Sequence, residues 1–364
     1  MKKVGIIGWR GMVGSVLISR MIEEGDFNRI EASFFSTSQS GQSGPLINEI
    51  QYTLKDALSA ESLSEMDIII SAQGGDYTKE IRPKLESLNW KGYWIDAASA
   101  KRMDDDSVII LDPVNKAHID QSIDRGVKNY IGGNCTVSLM LMGVGSLFQH
   151  DLIEWMSSMT YQAASGGGAK HMKELLSQMS VIGDEYEKIQ DSNILDIDDK
   201  MSSLLRGNDL DAKNFGVPLA LNIIPWIDSS LDNGQTREEW KAMSEANKIL
   251  NLEQQIPIDG TCVRIGALRS HSQALTIKLK RNIPLDEIES ILKSNSEWVE
   301  FVDNNPESTR EKLNPRYVSG TLKTTVGRVR KMNLGDEYLN LFTCGDQLLW
   351  GAAEPLRRMM NILL

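Results

Sequence analysis

Cys135 stands in a sequence context that suits a nucleophilic thiol. It belongs to the segment GGNCT (132–136), which follows a short apolar strand and opens an apolar helix. The unpaired N–H groups and the dipole at a helix N-terminus favour a thiolate. Cys262 and Cys344 lie instead in apolar, strand-like runs, where a free cysteine is usually a small buried hydrophobic residue. Cys135 is therefore the candidate nucleophile.

A thiolate beside a nicotinamide cofactor points to one class of reaction. The sulfur attacks an aldehyde carbon, a hydride passes to the cofactor, and the resulting thioester is open to a second nucleophile. Such chemistry needs a base. Of the four histidines, His271 lies in RIGALRSHSQ (264–273), where two arginines and other polar residues interrupt an apolar run. A lone strand histidine is usually structural, but this polar setting makes His271 the candidate acid/base.

A glycine-rich turn follows the first predicted strand, Lys3–Gly8. The segment GWRGMVG (8–14) contains glycines that allow a tight turn and let backbone N–H groups approach a pyrophosphate. The helix that follows presents its positive N-terminal end to the same group. A turn without a ligand is the alternative. Its position between the first strand and the first helix of an alternating pattern favours a dinucleotide site.

The end of the second predicted strand indicates which dinucleotide binds. An NAD site places Asp or Glu there to accept a hydrogen bond from the ribose, but this strand ends in FFSTSQ (34–39). The hydroxyls of Thr37 and Ser38 can donate to a 2′-phosphate, and Arg10 in the glycine turn can pair with it. Hydroxyls that only cap the next turn are the alternative. The pattern favours NADP.

The elements that must position these residues alternate in the N-terminal third. Short strands rich in Ile and Val are separated by helices, which predicts βαβ units and a parallel sheet covered on both faces. The predicted strands are Lys3–Gly8, Glu31–Ser36, Asp67–Ser71, Tyr93–Ala97, Val108–Leu111 and Asn129–Gly132. The predicted helices are Met12–Glu24, Tyr77–Leu88 and Asn115–Arg125.

The pattern changes near Asn134. A strand at 151–162 and a long helix at 169–187 precede a loop-rich stretch at 205–240. Further predicted elements are strands within 261–280, a helix at 284–294, two strands within 328–343 that turn at Gly335-Asp336, and a terminal helix at 354–364. The chain therefore combines an α/β domain with a domain of mixed α and β structure.

Composition limits the classes of partner. The chain has 364 residues, 39 Lys+Arg and 50 Asp+Glu, for a net charge of −11. An acidic chain of this kind has no general attraction to nucleic acid. The N-terminus does not resemble a signal peptide, and we predict no membrane span and no metal site. Three cysteines form no even disulfide framework, which favours a reducing cytoplasm.

Several motifs together resemble those of aspartate-semialdehyde dehydrogenases, in particular the bacterial, Gram-negative-type branch. The similarity extends over essentially the whole chain. The motifs that carry it are GGNCT (132–136), YQAASGGGAK (161–170), EEWK (238–241), VRIGALRSHSQ (263–273), GDQL (345–348) and GAAEPLRR (351–358).

The resemblance implies roles for individual residues. Cys135 would form the acyl thioester, His271 would be the acid/base, and Gln162 would position the reacting group. Glu238 would hold the substrate ammonium and Arg264 its α-carboxylate. The implied phosphate site consists of Arg102, Asn134 and Lys241. The implied cofactor contacts are Gly8, Arg10, Gly11, Met12, Val13, Thr37, Ser38, Gln73, Ser165, Gly166 and Gln347. From the residues alone, Glu238 and Lys241 indicate only an ion pair on one helix face.

The resemblance also implies an organisation and a reaction. The fold would be an N-terminal Rossmann-like dinucleotide-binding domain (1–133) with an α+β catalytic and dimerisation domain (134–353), and helix 354–364 would return to the first domain. The expected enzyme is a cytoplasmic homodimer that converts 4-phospho-L-aspartate and NADPH to L-aspartate 4-semialdehyde, with phosphate released, in the synthesis of aspartate-family amino acids.

Two alternatives stay open. A reductase of another acyl phosphate, such as N-acetylglutamyl phosphate, would leave Glu238 without a charged partner, because an acetylated amine carries no charge. A non-catalytic regulator would bind NADP without thiol-dependent turnover.

The assigned roles place a condition on the fold. Side chains on a straight strand alternate between its faces, so Arg264 and His271, seven positions apart, would point in opposite directions. Both must face one pocket. We therefore expect a bend, bulge or break between Ile265 and Ser270, with Gly266 as a suitable position.

Overall fold

The computed structural model describes all 364 residues. The strands are β1 (Lys2–Ile7), β2 (Ile30–Ser36), β3 (Ser43–Ile47), β4 (Ile50–Thr53), β5 (Lys55–Asp56), β6 (Ile68–Ser71), β7 (Tyr93–Asp96), β8 (Ser107–Ile110), β9 (Asn129–Gly132), β10 (Ile153–Gln162), β11 (Ile223–Ile224), β12 (Ile258–Asp259), β13 (Cys262–Ile265), β14 (His271–Leu279), β15 (Val299–Phe301), β16 (Thr324–Met332) and β17 (Gly335–Gly345). The helices are α1 (Met12–Glu23), α2 (Ala60–Ser64), α3 (Gly75–Ser87), α4 (Asp112–Asp124), α5 (Cys135–Gln149), α6 (Ala169–Glu187), α7 (Ile194–Arg206), α8 (Arg237–Leu250), α9 (Leu285–Lys293), α10 (Pro306–Lys312), α11 (Pro315–Val318) and α12 (Glu354–Leu363).

The N-terminal third forms a seven-stranded parallel sheet. Its strand order is β5-β2-β1-β6-β7-β9-β8, and every neighbouring pair runs in parallel. Strands β6, β8 and β9 are buried along their whole length, as strands covered on both faces are. The predicted α/β architecture is confirmed.

Different helices cover the two faces of this sheet. One core contains Leu17 and Met21 of α1, and on the other face Ile81 and Leu85 of α3 pack against β-strand residues such as Trp94. The C-terminal helix α12 joins the first core through its apolar stripe. It is also tied there by Arg357, whose Nε donates to Asp26 at 2.6 Å. The chain therefore returns to the sheet where it began.

The second part of the chain forms a mixed sheet. Its order is β11-β13-β10-β14-β17-β16-β15, with β12 paired to β10. Helix α5 is buried from Thr136 to Phe148 and packs with α9 on one face of this sheet. The other face is less covered. Half-buried aromatic side chains form two pairs there, Trp155 with Tyr338 and Tyr161 with Phe342, with ring centroids 6.3 and 6.2 Å apart.

Three local expectations differ from the structure. Helix α4 begins at Asp112 rather than Asn115, because a first turn containing Pro113 precedes a kink at Asn115. Helix α7 was not predicted, although Ile197, Met201 and Leu204 follow helical spacing and lie on its more buried side. The hairpin between β16 and β17 turns at 333–334, two residues before the predicted position, and Gly335 is the first residue of β17.

The boundary between 133 and 134 as a domain limit stays a prediction. No helix of the chain has both the length and the apolar character needed to cross a membrane.

Candidate functional site

A cleft of about 700 Å³ lies where the end of the parallel sheet meets the mixed sheet. Its walls bring together residues that are far apart in the sequence. The predicted site residues that line it are Gly11, Met12, Val13, Arg102, Asn134, Cys135, Gln162, Ser165, Gly166, Glu238, Lys241, Arg264 and Gln347. His271 is buried behind this wall, in contact with Cys135.

Cys135 is the first residue of α5, as the sequence predicts for a thiol at a helix start. The Asn134 side chain caps the helix by accepting from the N–H groups of Thr136 and Val137, at 2.9 and 3.3 Å. Cys135 is partly exposed, whereas Cys262 and Cys344 are buried. Only Cys135 therefore offers its sulfur to a ligand in the cleft.

The imidazole of His271 faces the Cys135 sulfur, with 3.4 Å between Nε2 and Sγ. On the other side of the ring, the N–H of Ala163 donates to Nδ1 at 3.1 Å. Because Nδ1 accepts a hydrogen bond, Nε2 carries the proton of the neutral ring and points it at the sulfur. This arrangement suits donation to a sulfur anion or to an oxygen formed beside it.

Burial disfavours the charged form of both members of this pair in the free protein, so the thiolate predicted at the helix start is not the favoured form of Cys135. Burial, helped by the charge of Glu238, raises the pKa of the Cys135 thiol to about 12. Burial and the neighbouring Arg264 guanidinium lower the pKa of His271 to about 3. Strong shifts of this kind are typical of functional sites, where a ligand changes the local charge.

The chain breaks between Arg264 and His271, as expected. Arg264 lies on β13 and His271 begins β14, with a bend between them. The strained position is Ser270, with φ of +74°, rather than Gly266. Gln347 holds this bend because its Oε1 accepts from the Ser270 N–H at 2.7 Å, and its amide NH₂ donates to Ser165. Gln347 therefore supports the wall of the cleft as well as lining it.

Gln162, at the end of β10, connects the two charged candidates for substrate binding. Its Nε2 donates to Glu238 Oε1 at 3.0 Å, and its Oε1 accepts from Arg264 at 3.3 Å. Arg264 also donates to the Ala163 carbonyl at 2.8 Å. A carboxylate and a guanidinium thus stand at opposite ends of one buried amide.

Glu238 is charged at neutral pH despite its burial. Burial alone would raise the pKa of Glu238, but Lys241 and the amides of Asn134 and Gln162 hold it below its ordinary value. Lys241 lies one turn along α8 and donates to Glu238 at 2.8 Å and to Asp228 at 3.0 Å. Burial also opposes the charge on Lys241, but Glu238 raises the Lys241 pKa.

The glycine turn between β1 and α1 has the geometry that a pyrophosphate requires. Gly8 has φ of +77°, and a Cβ there would lie 2.5 Å from the Ala72 backbone. Gly11 precedes α1, and no side chain caps the helix, so the N–H groups of its first turn face the cleft beside Met12 and Val13. An anion is the natural partner of such N–H groups.

A second cleft, of about 360 Å³, continues from the first at Gly11 and Ala72. It contains the remaining predicted cofactor residues, namely Gly8, Arg10, Thr37, Ser38 and Gln73. Arg10 is held over Trp9, 5.5 Å from the ring centroid, and bonds to Gln39. In the turn that follows β2, the Ser36 side chain accepts from the N–H groups of Ser38 and Gln39. The Ser38 hydroxyl stays exposed, with an arginine nearby.

Four residues with roles at the site were not predicted. Ala163 and Ser270 act through backbone groups, which carry no signal in residue type. Asp346 accepts from the N–H groups of Gly320 and Leu348, at 2.6 and 2.9 Å, and pairs with Arg269 at 2.8 Å. Glu245 lies seven residues after Glu238 on α8, and helix periodicity places both on one face. That spacing was the available signal.

Two family models together match most of the chain. The family model described as "Semialdehyde dehydrogenase, NAD binding domain" matches residues 3–122, and "Semialdehyde dehydrogenase, dimerisation domain" matches 144–350. The structure of aspartate semialdehyde dehydrogenase from Francisella tularensis is 50% identical, covers 100% of both chains and gives a TM-score of 0.95.

Two more distant structures share the fold. Aspartate semialdehyde dehydrogenase II from Vibrio cholerae, complexed with ASA, is 24% identical, with a TM-score of 0.82 and coverage of 100% of this chain and 98% of that one. The enzyme from Candida albicans, with NADP, is 17% identical, with a TM-score of 0.69 and the same coverage. The two family models and the full-length match at 50% identity show that this chain belongs to the aspartate-semialdehyde dehydrogenase family.

Proposed function

We propose that this chain reduces 4-phospho-L-aspartate to L-aspartate 4-semialdehyde, reversibly, with NADPH as the hydride donor and Cys135 as the nucleophile. The observation that carries the proposal is the contact between Cys135 Sγ and His271 Nε2 at 3.4 Å, in a cleft where Glu238 and Arg264 both bond to Gln162.

The charges of the cleft match a free amino acid. The Glu238 carboxylate attracts an α-ammonium group, and the Arg264 guanidinium can bind an α-carboxylate with two parallel hydrogen bonds. Both side chains are buried and already oriented by Gln162. A substrate that lacks either charge would leave a buried charged group without a partner.

Cys135 and His271 carry the covalent steps. The Cys135 sulfur attacks the acyl carbon, the bond from that carbon to the phosphate oxygen breaks, and phosphate leaves with the bonding electron pair and takes up the thiol proton. When bound, NADPH supplies a hydride to the thioester carbon. The His271 Nε2–H donates a hydrogen bond to the oxygen that then becomes negative. The carbon–sulfur bond breaks, the aldehyde leaves, and the sulfur takes a proton from water to restore the thiol.

Three residues form the proposed phosphate site. Arg102, Asn134 and Lys241 line the cleft on the side of α8. Two of them are cationic, and cationic side chains stabilise a departing phosphate. Lys241 is also paired with Glu238 and Asp228, so phosphate would join an existing network of charges.

The second cleft supports NADP rather than NAD. Thr37 and Ser38 follow β2 at the position where an NAD site has an acid, and Arg10 stands at the opening with them. A carboxylate would repel a 2′-phosphate, whereas these groups can donate to it. The uncapped first turn of α1 suits the pyrophosphate of the same cofactor.

The decisive experiment compares substrates in the phosphorylating direction, with NADP⁺ and phosphate. We expect L-aspartate 4-semialdehyde to be oxidised and N-acetylglutamate 5-semialdehyde to be about a thousandfold poorer in kcat/KM. Cys135→Ala should lose turnover by about 10⁴-fold or more, while the Kd for NADPH changes less than threefold.

Matched variants and substrates make this result decisive. Cys262→Ala, which removes a buried thiol outside the cleft, should retain activity. A preference for the N-acetylated aldehyde would support the reductase of another acyl phosphate. NADPH binding without turnover of any aldehyde would support the regulator.

We also infer that the chain forms a homodimer through the less covered face of the mixed sheet. The matching family model is that of a dimerisation domain, and this face carries Met159, 40% exposed, between the aromatic pairs. Sedimentation velocity should give twice the 40.6 kDa of one chain. Met159→Glu should shift the mass towards the monomer, whereas Leu88→Glu, at a residue that is 44% exposed at the end of α3, should not.

The cytoplasm is the proposed location. All three cysteines are free thiols in this structure, as is usual in a reducing compartment. Cell fractionation with an antibody to the chain tests this location directly.

A further inference from the structure

The turn between β9 and Cys135 is held by two side chains that come from elsewhere in the fold. Arg102 Nε donates to the Gly132 carbonyl at 2.7 Å, and its NH2 donates to the Gly133 carbonyl at 3.1 Å. Glu245 Oε2 accepts from the N–H of Asn134 at 2.7 Å. Three consecutive residues before the nucleophile therefore have their backbone groups bound by one arginine and one glutamate.

The same two side chains also bind each other. Arg102 NH1 donates to Glu245 Oε1 at 3.1 Å. The side chain of Glu245 is 2% exposed and that of Arg102 is 10% exposed. A buried ion pair contributes little when both partners are replaced by apolar groups, but loss of one partner leaves the other charge uncompensated. Apart from the contact of Arg102 with the Ala97 carbonyl, the remaining contacts of this pair go to one backbone turn, so the pair helps to specify the shape of that turn.

We propose that Glu245 is a positioning residue for the nucleophile. Together with Arg102 it fixes the 132–134 turn, and through it the direction of the Cys135 sulfur towards His271. The proposal rests on the proposed function, because the nucleophilic role of Cys135 is part of it.

Helix α8 makes this role possible. Glu238 and Glu245 are two turns apart, so both point from one face of the helix towards Asn134. Glu238 contacts the Asn134 side chain at 3.0 Å, while Glu245 contacts the Asn134 backbone. Helix α8 itself is anchored at its start, where Thr236 and Glu239 form a capping box and Glu239 accepts from the Cys262 N–H of β13. One helix thus positions both Glu238, which would hold the substrate ammonium, and the nucleophile turn.

The contacts also redefine Arg102. Four of its five N–H donors point at Glu245 and at the carbonyls of Ala97, Gly132 and Gly133, at 2.7–3.4 Å. One N–H is left for phosphate in the cleft. Arg102 therefore joins the phosphate site to the nucleophile turn, and Glu245 holds it in that position.

The test measures kcat and each KM in the phosphorylating direction for Glu245→Gln, Glu245→Ala and Arg102→Lys. Loss of a positioning contact should misalign the Cys135 sulfur and therefore lower kcat. We expect Glu245→Ala to lower kcat at least tenfold at saturating phosphate, beyond any change in KM for phosphate that a displaced Arg102 causes. Glu245→Gln keeps one oxygen for the Asn134 N–H but loses the charge facing Arg102, so its kcat should be intermediate.

Arg102→Lys separates the two tasks of the arginine. A lysine cannot hold two carbonyls and a carboxylate in one plane, so kcat should fall even at saturating phosphate. The losses in the double variant with Glu245→Ala should be smaller than the product of the single losses, because both act on one turn.

Glu174→Gln is the matched control. Glu174, on α6, is also buried, at 4% exposure. It accepts from the backbone N–H groups of Asn214 and Phe215, away from the cleft. It should lower the melting temperature but leave kcat within twofold. If Glu245→Gln folds poorly, Arg102→Lys gives the same readout.

Three outcomes would overturn the role. One is unchanged kcat in the Glu245 variants with an active wild-type chain. Another is a rise in KM for phosphate alone, which would make Glu245 a partner of Arg102 only. The third is an equal loss of kcat in Glu174→Gln. An inactive wild-type chain would instead overturn the proposed function, and the role with it.

Discussion

The two clefts that meet at Gly11 and Ala72 are built in opposite ways. In the cleft at Cys135, the side chains of Gln162, Glu238 and His271 are at most 7% exposed, and each has a partner before any ligand binds. In the cleft at the end of β2, the side chains that could bind a phosphate are exposed to water. One site is preorganised, while the other forms its contacts as the ligand arrives.

This difference teaches where substitutions will cost most. Removal of one member of a buried network leaves its partners without hydrogen bonds, at about 1–3 kcal/mol for each group. An exposed donor is replaced by water, and exposed ion pairs contribute only about 0–1 kcal/mol. Large effects are therefore expected around Cys135 and small ones around Arg10.

Arg264→Lys should have the largest effect of the substitutions that keep the nucleophile. The ammonium cannot bind the substrate carboxylate with two parallel bonds or keep the contacts to Gln162 and Ala163. Two lost charge-assisted bonds correspond to about a hundredfold or more in kcat/KM for L-aspartate 4-semialdehyde. Steady-state kinetics measures this loss. The exposed Arg281→Lys should stay within twofold.

The pH dependence of stability tests whether His271 is buried as a neutral ring. Its pKa is lowered to about 3 by burial and by Arg264, whereas an unfolded histidine titrates near 6.5. The folded chain therefore binds fewer protons than the unfolded chain between these values. The stability is fully present above about pH 6.5 and decreases as the pH falls towards 3, with a slope of about 1.4 kcal/mol per pH unit.

Urea unfolding of His271→Gln between pH 6.5 and 5 measures this contribution. The variant should lose about 2 kcal/mol less than the wild-type chain across that interval. Gln149→Ala, an exposed substitution at the end of α5 that changes no titratable group, should keep the wild-type slope. Parallel curves for all three proteins would show that His271 is accessible to protons in the folded state.

Gly166→Ala tests how tightly the preorganised cleft is packed. An added Cβ would lie 2.7 Å from the Arg264 guanidinium and 3.1 Å from the His271 ring. Both side chains would have to move, so kcat/KM should fall about tenfold, which corresponds to about 1.4 kcal/mol. Gly183→Ala is the control, because its Cβ would meet no atom within 4 Å. Equal activity of the two variants would mean that Arg264 and His271 can move aside without loss of function.

Arg10→Ala should have the smallest effect, and that effect should be limited to NADPH. The loss of an exposed charge near the 2′-phosphate should raise KM for NADPH several-fold, while KM for NADH stays within twofold. A loss as large as that of Arg264→Lys would break the comparison between the two clefts. Equal use of NADPH and NADH by the wild-type chain would contradict the interpretation of the β2 end.

Much of the local architecture could be predicted because it depends on neighbouring residues. The alternation of Ile-rich strands and helices indicated the parallel sheet, and the position of Cys135 at a helix start followed from a few adjacent residues. Even the break between Arg264 and His271 was predictable, since strand geometry forbids both side chains on one side of a straight strand. Helix α7 was missed although Ile197, Met201 and Leu204 follow helical spacing.

The motifs of the sequence also determined the family and a set of candidate residues, but the distances between those residues are a property of the tertiary structure. His271 reaches Cys135 across 136 positions, and its orientation depends on an N–H of Ala163 that any residue type except proline would supply. Glu245 reads in the sequence as one more helical glutamate. Only the tertiary packing of α8 against the turn after β9 brings the Glu245 carboxylate to the Asn134 N–H and to Arg102, where it can support the nucleophile.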